Sequence, residues 1–177
     1  MDVSANDLRL NLGCGRWVLD GWINIDAVVK PESGVTPQLV CDVKVIPLPD
    51  ACAVEILAVH LWEHFYRWEC EAVIAEWRRL LRPEGLLTME MPDVRKCARN
   101  VLSGHESAKH PDQLGMWGLY GDPREQDPLM VHRWGWTFDT LWPFLKEHGF
   151  KDFRELQTKW HKNGRDVRDF RIEATRA

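Results

Sequence analysis

The stretch that decides the fold runs from residue 54 to residue 91 and has the sequence VEILAVHLWEHFYRWECEAVIAEWRRLLRPEGLLTMEM. Its first six residues, 54–59, are almost continuously apolar, as expected of a strand buried on both faces. From Cys70 to Leu81 the apolar positions recur with the spacing of one helical face, and a Pro-Glu-Gly sequence then ends the helix. Leu86 to Met91 has the composition of a second strand. The order strand, helix, strand predicts a βαβ unit with parallel strands, the core of an α/β sheet.

Three shorter strand-like runs precede this unit. They are Leu8–Leu12, Trp22–Ile25 and Leu39–Cys41, and they are followed by Gly13, Asp26 and Asp42 respectively. Because the carboxyl ends of parallel strands meet at one edge of a sheet, these residues are expected to lie together where open α/β folds bind ligands.

The C-terminal third predicts a different arrangement. Asp139 to His148 has a helical pattern, and Asn163-Gly164 favours a tight hairpin turn, so the sheet is expected to close with an antiparallel pair. Between these elements and the βαβ unit, residues 103–136 are rich in Gly, Pro, Asp, His and Trp and lack periodicity. We expect residues 105–136 to form a lid or substrate-binding loop.

Bulk composition indicates a single domain over residues 1–177. Charged residues make up 28% and hydrophobic residues 45%, which are values typical of soluble globular proteins. No apolar run is long enough to cross a membrane, and a net charge of −4 does not favour nucleic-acid binding. The five cysteines are irregularly spaced, which predicts reduced thiols and a cytoplasmic location.

The glycine sequence after the first strand is the first chemical signal. Leu12-Gly-Cys-Gly15 allows a sharp turn and close approach to a ligand, although a turn without a ligand is an equally simple interpretation. Only six residues separate Gly15 from Trp22, too few for a helix that would hold a phosphate, and this objection does not apply to a nucleotide cofactor without phosphates. Asp26 is suited to ribose hydroxyls and Asp42 to an adenine amino group, or both are solvated turn residues.

These residues resemble the Rossmann-like, class I S-adenosylmethionine-dependent methyltransferases, in particular a group of small predicted methyltransferases similar to the type 11 methyltransferases. The resemblance extends over about residues 8–153. The motifs that carry it are Asn11–Gly15, Gly21–Asp26, Asp42, Leu48–Asp50, His60–His64, Leu80–Gly85, His132 and Leu141–Phe150. One departure is the shortened region after the glycine turn, where the family has a helix.

The resemblance implies a mostly parallel, seven-stranded twisted sheet with strand order 3-2-1-4-5-7-6 and a C-terminal antiparallel hairpin. It also implies methyl transfer from S-adenosylmethionine to a small-molecule acceptor, with S-adenosylhomocysteine as the product. Carried over by position, the cofactor-binding residues are Gly13, Cys14 and Gly15 for the methionine portion, Asp26 for the ribose, Asp42 and Val43 for the adenine, and His60 near the sulfonium.

Three histidines are candidate catalytic residues: His132, His60 and His64. His132 lies in a tryptophan-flanked part of the expected lid, where an imidazole could remove a proton from the acceptor. The aromatic residues around it are expected either to wall the methyl-donor site or to belong to the core, and they are Trp117, Tyr120, Trp134 and Trp136.

Two alternative functions stay open. His60-x-x-Glu63-His64 matches the inverted zinc-peptidase motif of a zinc-dependent hydrolase, which requires both histidines on one helix. Because His60 follows a β-rich run directly, we expect no such helix and no bound metal. The other alternative is a non-catalytic cofactor-binding or scaffold module of the same fold. The sequence leaves the oligomeric state open.

Overall fold

The computed structural model describes residues 7–29, 34–104, 114–160 and 167–177. In chain order the strands are β1 Leu8–Leu12, β2 Ile23–Asp26, β3 Leu39–Val40, β4 Ala53–Val59, β5 Leu81–Pro92, β6 Phe150–Leu156 and β7 Asp169–Arg176. The helices are α1 Cys70–Leu80, α2 Val94–Leu102, α3 Leu114–Tyr120 and α4 Phe138–Glu147, with 3₁₀ turns at Trp62–His64 and Pro128–Met130.

The seven strands form one sheet in the order β3-β2-β1-β4-β5-β7-β6, which confirms the expected strand order. The pairs from β3 to β5 are parallel, whereas β7 is antiparallel to both β5 and β6. The fold is therefore the mostly parallel α/β sheet with an antiparallel C-terminal pair that the sequence predicts. The Asn163-Gly164 turn lies outside the described residues. None of the helices in the described ranges is long and apolar enough to span a membrane.

Helix α1 buries the apolar face that its sequence predicts, formed by Cys70, Val73, Ile74, Trp77 and Leu80. It ends at Leu80, and strand β5 begins at Leu81 rather than at the predicted Leu86 because Leu81 already pairs with Ala53. An irregularity in the pairing of β4 with β5 follows. At this place Gly85 passes so close to β4 and to its own strand that a Cβ would lie 2.8 Å from the Arg82 carbonyl oxygen.

Several tryptophans form the centre of the hydrophobic core. The ring centroid of Trp62 lies 5.3 Å from that of Trp77 and 6.2 Å from that of Trp136. Phe144 of α4 packs against Trp62 and Trp136. Since Trp136 is only 3% exposed, the interpretation of Trp136 as part of a wall around the site is wrong, and its role is packing.

The expected lid contains more regular structure than its aperiodic sequence predicts. Helix α3 lies within it, and its contact with α2 is close because Gly118 faces Cys97 with no room for a side chain. Amphipathic spacing could not indicate this helix, since it has only seven residues, among them two glycines. Residues 105–113 of the expected lid lie outside the described ranges.

Candidate active site

A cavity of about 710 Å³ opens at the carboxyl edge of the parallel strands. Its lining comes from four strand ends together with two later segments. The lining residues are Gly13 to Trp17 after β1, Asp26 to Val28 at β2, Asp42 to Lys44 after β3, Val59 to Leu61 at β4, then His64, Phe65, Glu125, Asp127, Leu129, Met130 and Arg133. All the sequence-predicted cofactor residues line this cavity. The predicted catalytic residues His60 and His64 line it as well, whereas His132 does not.

The glycine turn, residues 13–17, is fixed between the ends of β2 and β4. Gly13 and Gly15 have φ angles of +62° and +51°, a backbone conformation that favours glycine. The amide of Gly15 donates to Asp26 Oδ2 at 2.7 Å, and a Cβ at Gly13 would lie 2.8 Å from Leu61 Cδ1. A Cβ at Gly15 would meet no atom within 4 Å, so this glycine faces open space on the cavity side.

Two buried asparagines that sequence reasoning missed support the chain that follows the glycine turn. Asn11 Nδ2 donates to Trp17 O at 2.9 Å and to Asn24 Oδ1 at 2.8 Å. Asn24 in turn pairs with both the amide and the carbonyl of Leu19. The residues up to Trp22 form turns and no helix, as expected from their number. In the sequence, the only sign of this support is a polar residue inside each strand. The alternation of apolar and polar residues alone would place both asparagines on a solvated face.

Asp26 and Asp42 lie at neighbouring strand ends, as predicted. Asp26 accepts from Gly15 through Oδ2 and from the Val28 amide through Oδ1 at 3.0 Å, so it organises the glycine turn as well as facing the cavity. Asp42 accepts from the Lys44 amide at 2.9 Å, and its other oxygen lies 3.5 Å from Lys44 Nζ. Next to Asp42, Val43 is buried, and its carbonyl accepts from Trp77 Nε1.

His60 follows β4 and is the centre of a buried ionic cluster, which we call the His60 cluster and which comprises His60, Glu63, Arg168 and Asp169. His60 Nδ1 lies 2.9 Å from Glu63 Oε1, and Nε2 lies 3.1 Å from Asp169 Oδ2. Burial would lower the pKa of His60, but the hydrogen bonds with Asp169 and Glu63 outweigh burial and raise the pKa to about 9. His60 is therefore an imidazolium at neutral pH, and both of its N–H groups are engaged.

The two carboxylates of the His60 cluster stay ionised. Burial would raise the pKa of Glu63, yet the hydrogen bond and the charge of His60 lower it to about 2. The pKa of Asp169 is lowered as well, because hydrogen bonds from His60 and Arg168 overcome the effect of burial. Arg168 donates to both oxygens of Asp169. The cluster thus holds two positive and two negative groups beside the cavity.

His64 and His132 come together although 67 residues lie between them. Their ring centroids are 5.0 Å apart, His64 Nδ1 lies 3.2 Å from the Val131 carbonyl, and His132 Nδ1 lies 3.2 Å from the Gly118 carbonyl. Burial lowers the pKa of His132 despite the nearby carboxylate of Glu63, so its ring is neutral at neutral pH. His132 thus contacts His64, which lines the cavity, but is not a lining residue itself.

The helix that the zinc-peptidase alternative requires is absent from this described segment. His60 has a φ of +50° just after the strand, and only Trp62–His64 forms a short 3₁₀ turn. Both nitrogens of His60 are engaged by carboxylates. The motif His60-x-x-Glu63-His64 therefore does not place its two histidines on one helical face.

Residues 125–133 supply the last part of the cavity lining, and we call this segment the wall of residues 125–133. Arg133 fixes this wall through its amide, which donates to Glu63 O at 2.8 Å, and through its guanidinium, which donates to His64 O at 2.9 Å. Part of the expected lid thus borders the site. The expected aromatic wall does not: within the described lining no residue is Trp117, Tyr120, Trp134 or Trp136.

Comparison with known proteins agrees with this geometry. A family model described as a methyltransferase domain matches residues 20–89. An S-adenosylmethionine-dependent methyltransferase from Archaeoglobus fulgidus superposes with a TM-score of 0.61 over 97% of this chain and 87% of that one, at 14% identity. A possible histamine N-methyltransferase from Thermotoga maritima superposes with a TM-score of 0.60 over 96% of this chain and 82% of that one, at 16% identity. No curated protein sequence matches the chain.

Human N-acetylserotonin methyltransferase, in complex with S-adenosylmethionine, superposes with a TM-score of 0.59 at 17% identity. The alignment covers 100% of this chain and 49% of the human one. The sheet order and the cavity at its carboxyl edge define a class I methyltransferase fold. The family model matches residues 20–89 only, and the solved structures share the fold at low identity, so the chain is similar to the class I S-adenosylmethionine-dependent methyltransferases.

Proposed function

We propose that this protein transfers the methyl group of S-adenosylmethionine to a small-molecule acceptor in the cytoplasm. The observation that carries the proposal is the cavity in which the glycine turn, Asp26, Asp42 and His60 converge from four separate strand ends. Its volume of about 710 Å³ lies within the roughly 300–1,000 Å³ typical of small-molecule sites.

The lining suits a cofactor that has hydroxyl and amino groups and no phosphate. The Asp26 carboxylate would accept from the ribose hydroxyls, Asp42 and Val43 would bind the adenine, and the glycine turn would face the methionine portion. A glycine turn without a following helix offers no helix N-terminus to a phosphate, and S-adenosylmethionine contains none.

When bound, S-adenosylmethionine supplies a methyl group on a cationic sulfur, which a lone pair of the acceptor displaces. The His60 cluster has balanced charges, so its net charge does not repel a sulfonium. The wall of residues 125–133 would hold the acceptor in line with the methyl group, and such positioning supplies much of the rate in a displacement of this kind.

The three candidate catalytic histidines differ in what they can do. His60 has both ring nitrogens engaged, so we propose that it positions Glu63 and Asp169 and takes up no proton. His64 would face the acceptor from the cavity lining. Removal of a proton by His132 would require the wall of residues 125–133 to move, because His132 does not line the cavity.

Titration calorimetry with S-adenosylmethionine and S-adenosylhomocysteine tests the proposal, and a matched pair of glycine variants localises the site. Gly15 and Gly21 both have positive φ and both have open space at the Cβ position, but only Gly15 lines the cavity. Gly15→Ala and Gly21→Ala should each cost about 1 kcal/mol of stability. Only Gly15→Ala should weaken cofactor binding, by at least about tenfold, since close backbone approach is lost.

Turnover is measured as S-adenosylhomocysteine formed with a panel of small hydroxyl and amine acceptors. Absence of binding of either nucleoside at millimolar concentration would contradict the proposal. Equal loss of binding in both glycine variants would place the cofactor elsewhere. Binding without turnover on any acceptor would favour the scaffold alternative.

A further inference from the structure

Three potential metal ligands meet beside the cavity, from two segments far apart in the chain. Glu63 and His64 follow β4, and His132 belongs to the wall of residues 125–133. One ligand atom from each of these three side chains lies within 4.8 Å of the other two. One carboxylate and two imidazoles form a donor set suited to divalent transition metals such as Zn²⁺.

Each of the three side chains is also held on its other side. His64 Nδ1 is hydrogen-bonded to the Val131 carbonyl and His132 Nδ1 to the Gly118 carbonyl, so Nε2 is the nitrogen that each ring can offer to a metal. Metal-binding imidazoles typically donate their other N–H in this way. Glu63 is fixed through Oε1, which accepts from His60.

The second oxygen of Glu63 gives an independent indication. Oε2 is buried and has no hydrogen-bond partner among the described residues, and the side chain as a whole is only 4% exposed. An unpaired buried polar atom costs about 1–3 kcal/mol, more when it is charged, so such atoms usually have an unseen partner. A cation beside Glu63 would satisfy this oxygen.

We propose that Glu63, His64 and His132 bind one divalent transition-metal ion, for which Zn²⁺ is the best suited. Metal–ligand distances of about 2.0–2.2 Å require the three atoms to draw closer than they are, which the partly exposed side chain of His64 can accommodate. His64 lines the cavity, so the ion has an entry path. Three protein ligands leave a coordination position open. The site excludes His60, unlike the zinc-peptidase motif, and does not depend on methyl transfer.

The test is a titration of the full, chelator-treated chain with Zn²⁺ by calorimetry and with Co²⁺ by visible absorption. We expect one ion per chain, a micromolar dissociation constant and a Co²⁺ ligand-field spectrum. His64→Ala and His132→Ala should each weaken binding by at least about 100-fold, because each removes one of three ligands. Circular dichroism establishes that the variants are folded, and His64→Ala alone decides the matter if His132→Ala does not fold.

His148→Ala is the matched control, since His148 is a partly buried histidine that bonds the Phe144 carbonyl and does not line the cavity. It should bind Zn²⁺ like the unaltered chain. No saturable binding at millimolar Zn²⁺, undiminished binding in the His64→Ala variant, or an equal loss in His148→Ala would each overturn the proposal. Cofactor binding is measured separately on the same samples, so failure of the metal site and failure of the proposed methyl transfer remain distinguishable.

Discussion

The two sides of the cavity are built in different ways. On the glycine side, residues close in sequence hold one another: Gly15 bonds Asp26, and Asn11 bonds Asn24. On the side of His60, the contacts are long-range: the His60 cluster joins His60 to Asp169, 109 residues later, and the Arg133 amide donates to the Glu63 carbonyl. The glycine side is partly exposed backbone, whereas Glu63 and Asp169 are buried charges. In the proposed function the first side binds the cofactor, and we expect the second side to carry much of the stability of the site.

The largest effect should come from removing Asp169. This carboxylate is fully buried between His60 and Arg168, so Asp169→Ala takes the carboxylate from Arg168 and leaves His60 with Glu63 alone. Breaking a buried pair in this way costs about 3–5 kcal/mol. We expect that loss in the free energy of unfolding, measured by urea denaturation.

Asp50→Ala provides the control for Asp169→Ala, because Asp50 also pairs with an arginine, Arg79, but at the surface. Its side chain is 78% exposed, and its loss should cost less than about 1 kcal/mol. Equal costs in the two variants would show that the His60 cluster contributes no more than a surface ion pair, and the contrast between the two sides would fail.

The next effect concerns a thiol on the glycine side. Burial, with the charge of Asp26, raises the pKa of Cys14 to about 11 from 9.0. At pH 8 the reactive thiolate is therefore about a hundred times rarer than in an unfolded chain, since two pKa units are two powers of ten. We expect iodoacetamide to modify Cys14 at least about 100-fold more slowly in the native protein than in urea, as measured by peptide mass spectrometry.

Modification of Cys14 at the same rate in both states would show that the glycine turn is open to solvent and unformed in solution. Because Cys14 lines the cavity, added S-adenosylhomocysteine should slow the reaction further. Cys52, which is buried outside the cavity lining, serves as the internal control, and its rate should not respond to the nucleoside.

The glycine side of the cavity is predictable from the sequence, whereas the side of the His60 cluster is not. The strand ends, the glycine turn and the positions of Asp26 and Asp42 follow from periodicity and from local turn chemistry, which act over a few residues. Asp169 could not be predicted as a partner of His60, because that contact exists only once β7 has paired with β5. Trp136 is indistinguishable from an exposed aromatic residue in the sequence for the same reason: only tertiary packing places it against Trp62.

A smaller effect, on binding and not on folding, is expected for Asp26. Asp26→Ala removes a charged acceptor at the predicted ribose position, and the loss of such hydrogen bonds costs about 1.5–3 kcal/mol, or about tenfold to a hundredfold in affinity. Calorimetry with S-adenosylhomocysteine measures it. Asp20→Ala, in an exposed residue outside the cavity lining, should leave the affinity unchanged. An affinity within twofold in folded Asp26→Ala would place the ribose elsewhere.

The smallest effect concerns the motion of the wall of residues 125–133. Its end is anchored, since the amides of Arg133 and Trp134 both donate to the Glu63 carbonyl, whereas residues 123–126 are exposed. In hydrogen exchange we expect fast exchange at residues 124–127 and slow exchange at Arg133 and Trp134 in the free protein. When cofactor and acceptor are both bound, amide exchange at residues 124–130 should become about tenfold slower, as for a lid that closes over its ligand.

The strand β4 provides the reference for this measurement, because its buried amides should exchange slowly with or without ligand. Strong protection of residues 124–130 from the start, unchanged by ligand, would make this wall as rigid as the sheet. In that case His132 could not reach the acceptor, since it does not line the cavity and only movement of the wall would expose it. Weak protection that never responds to ligand would show instead that the wall does not close over the site.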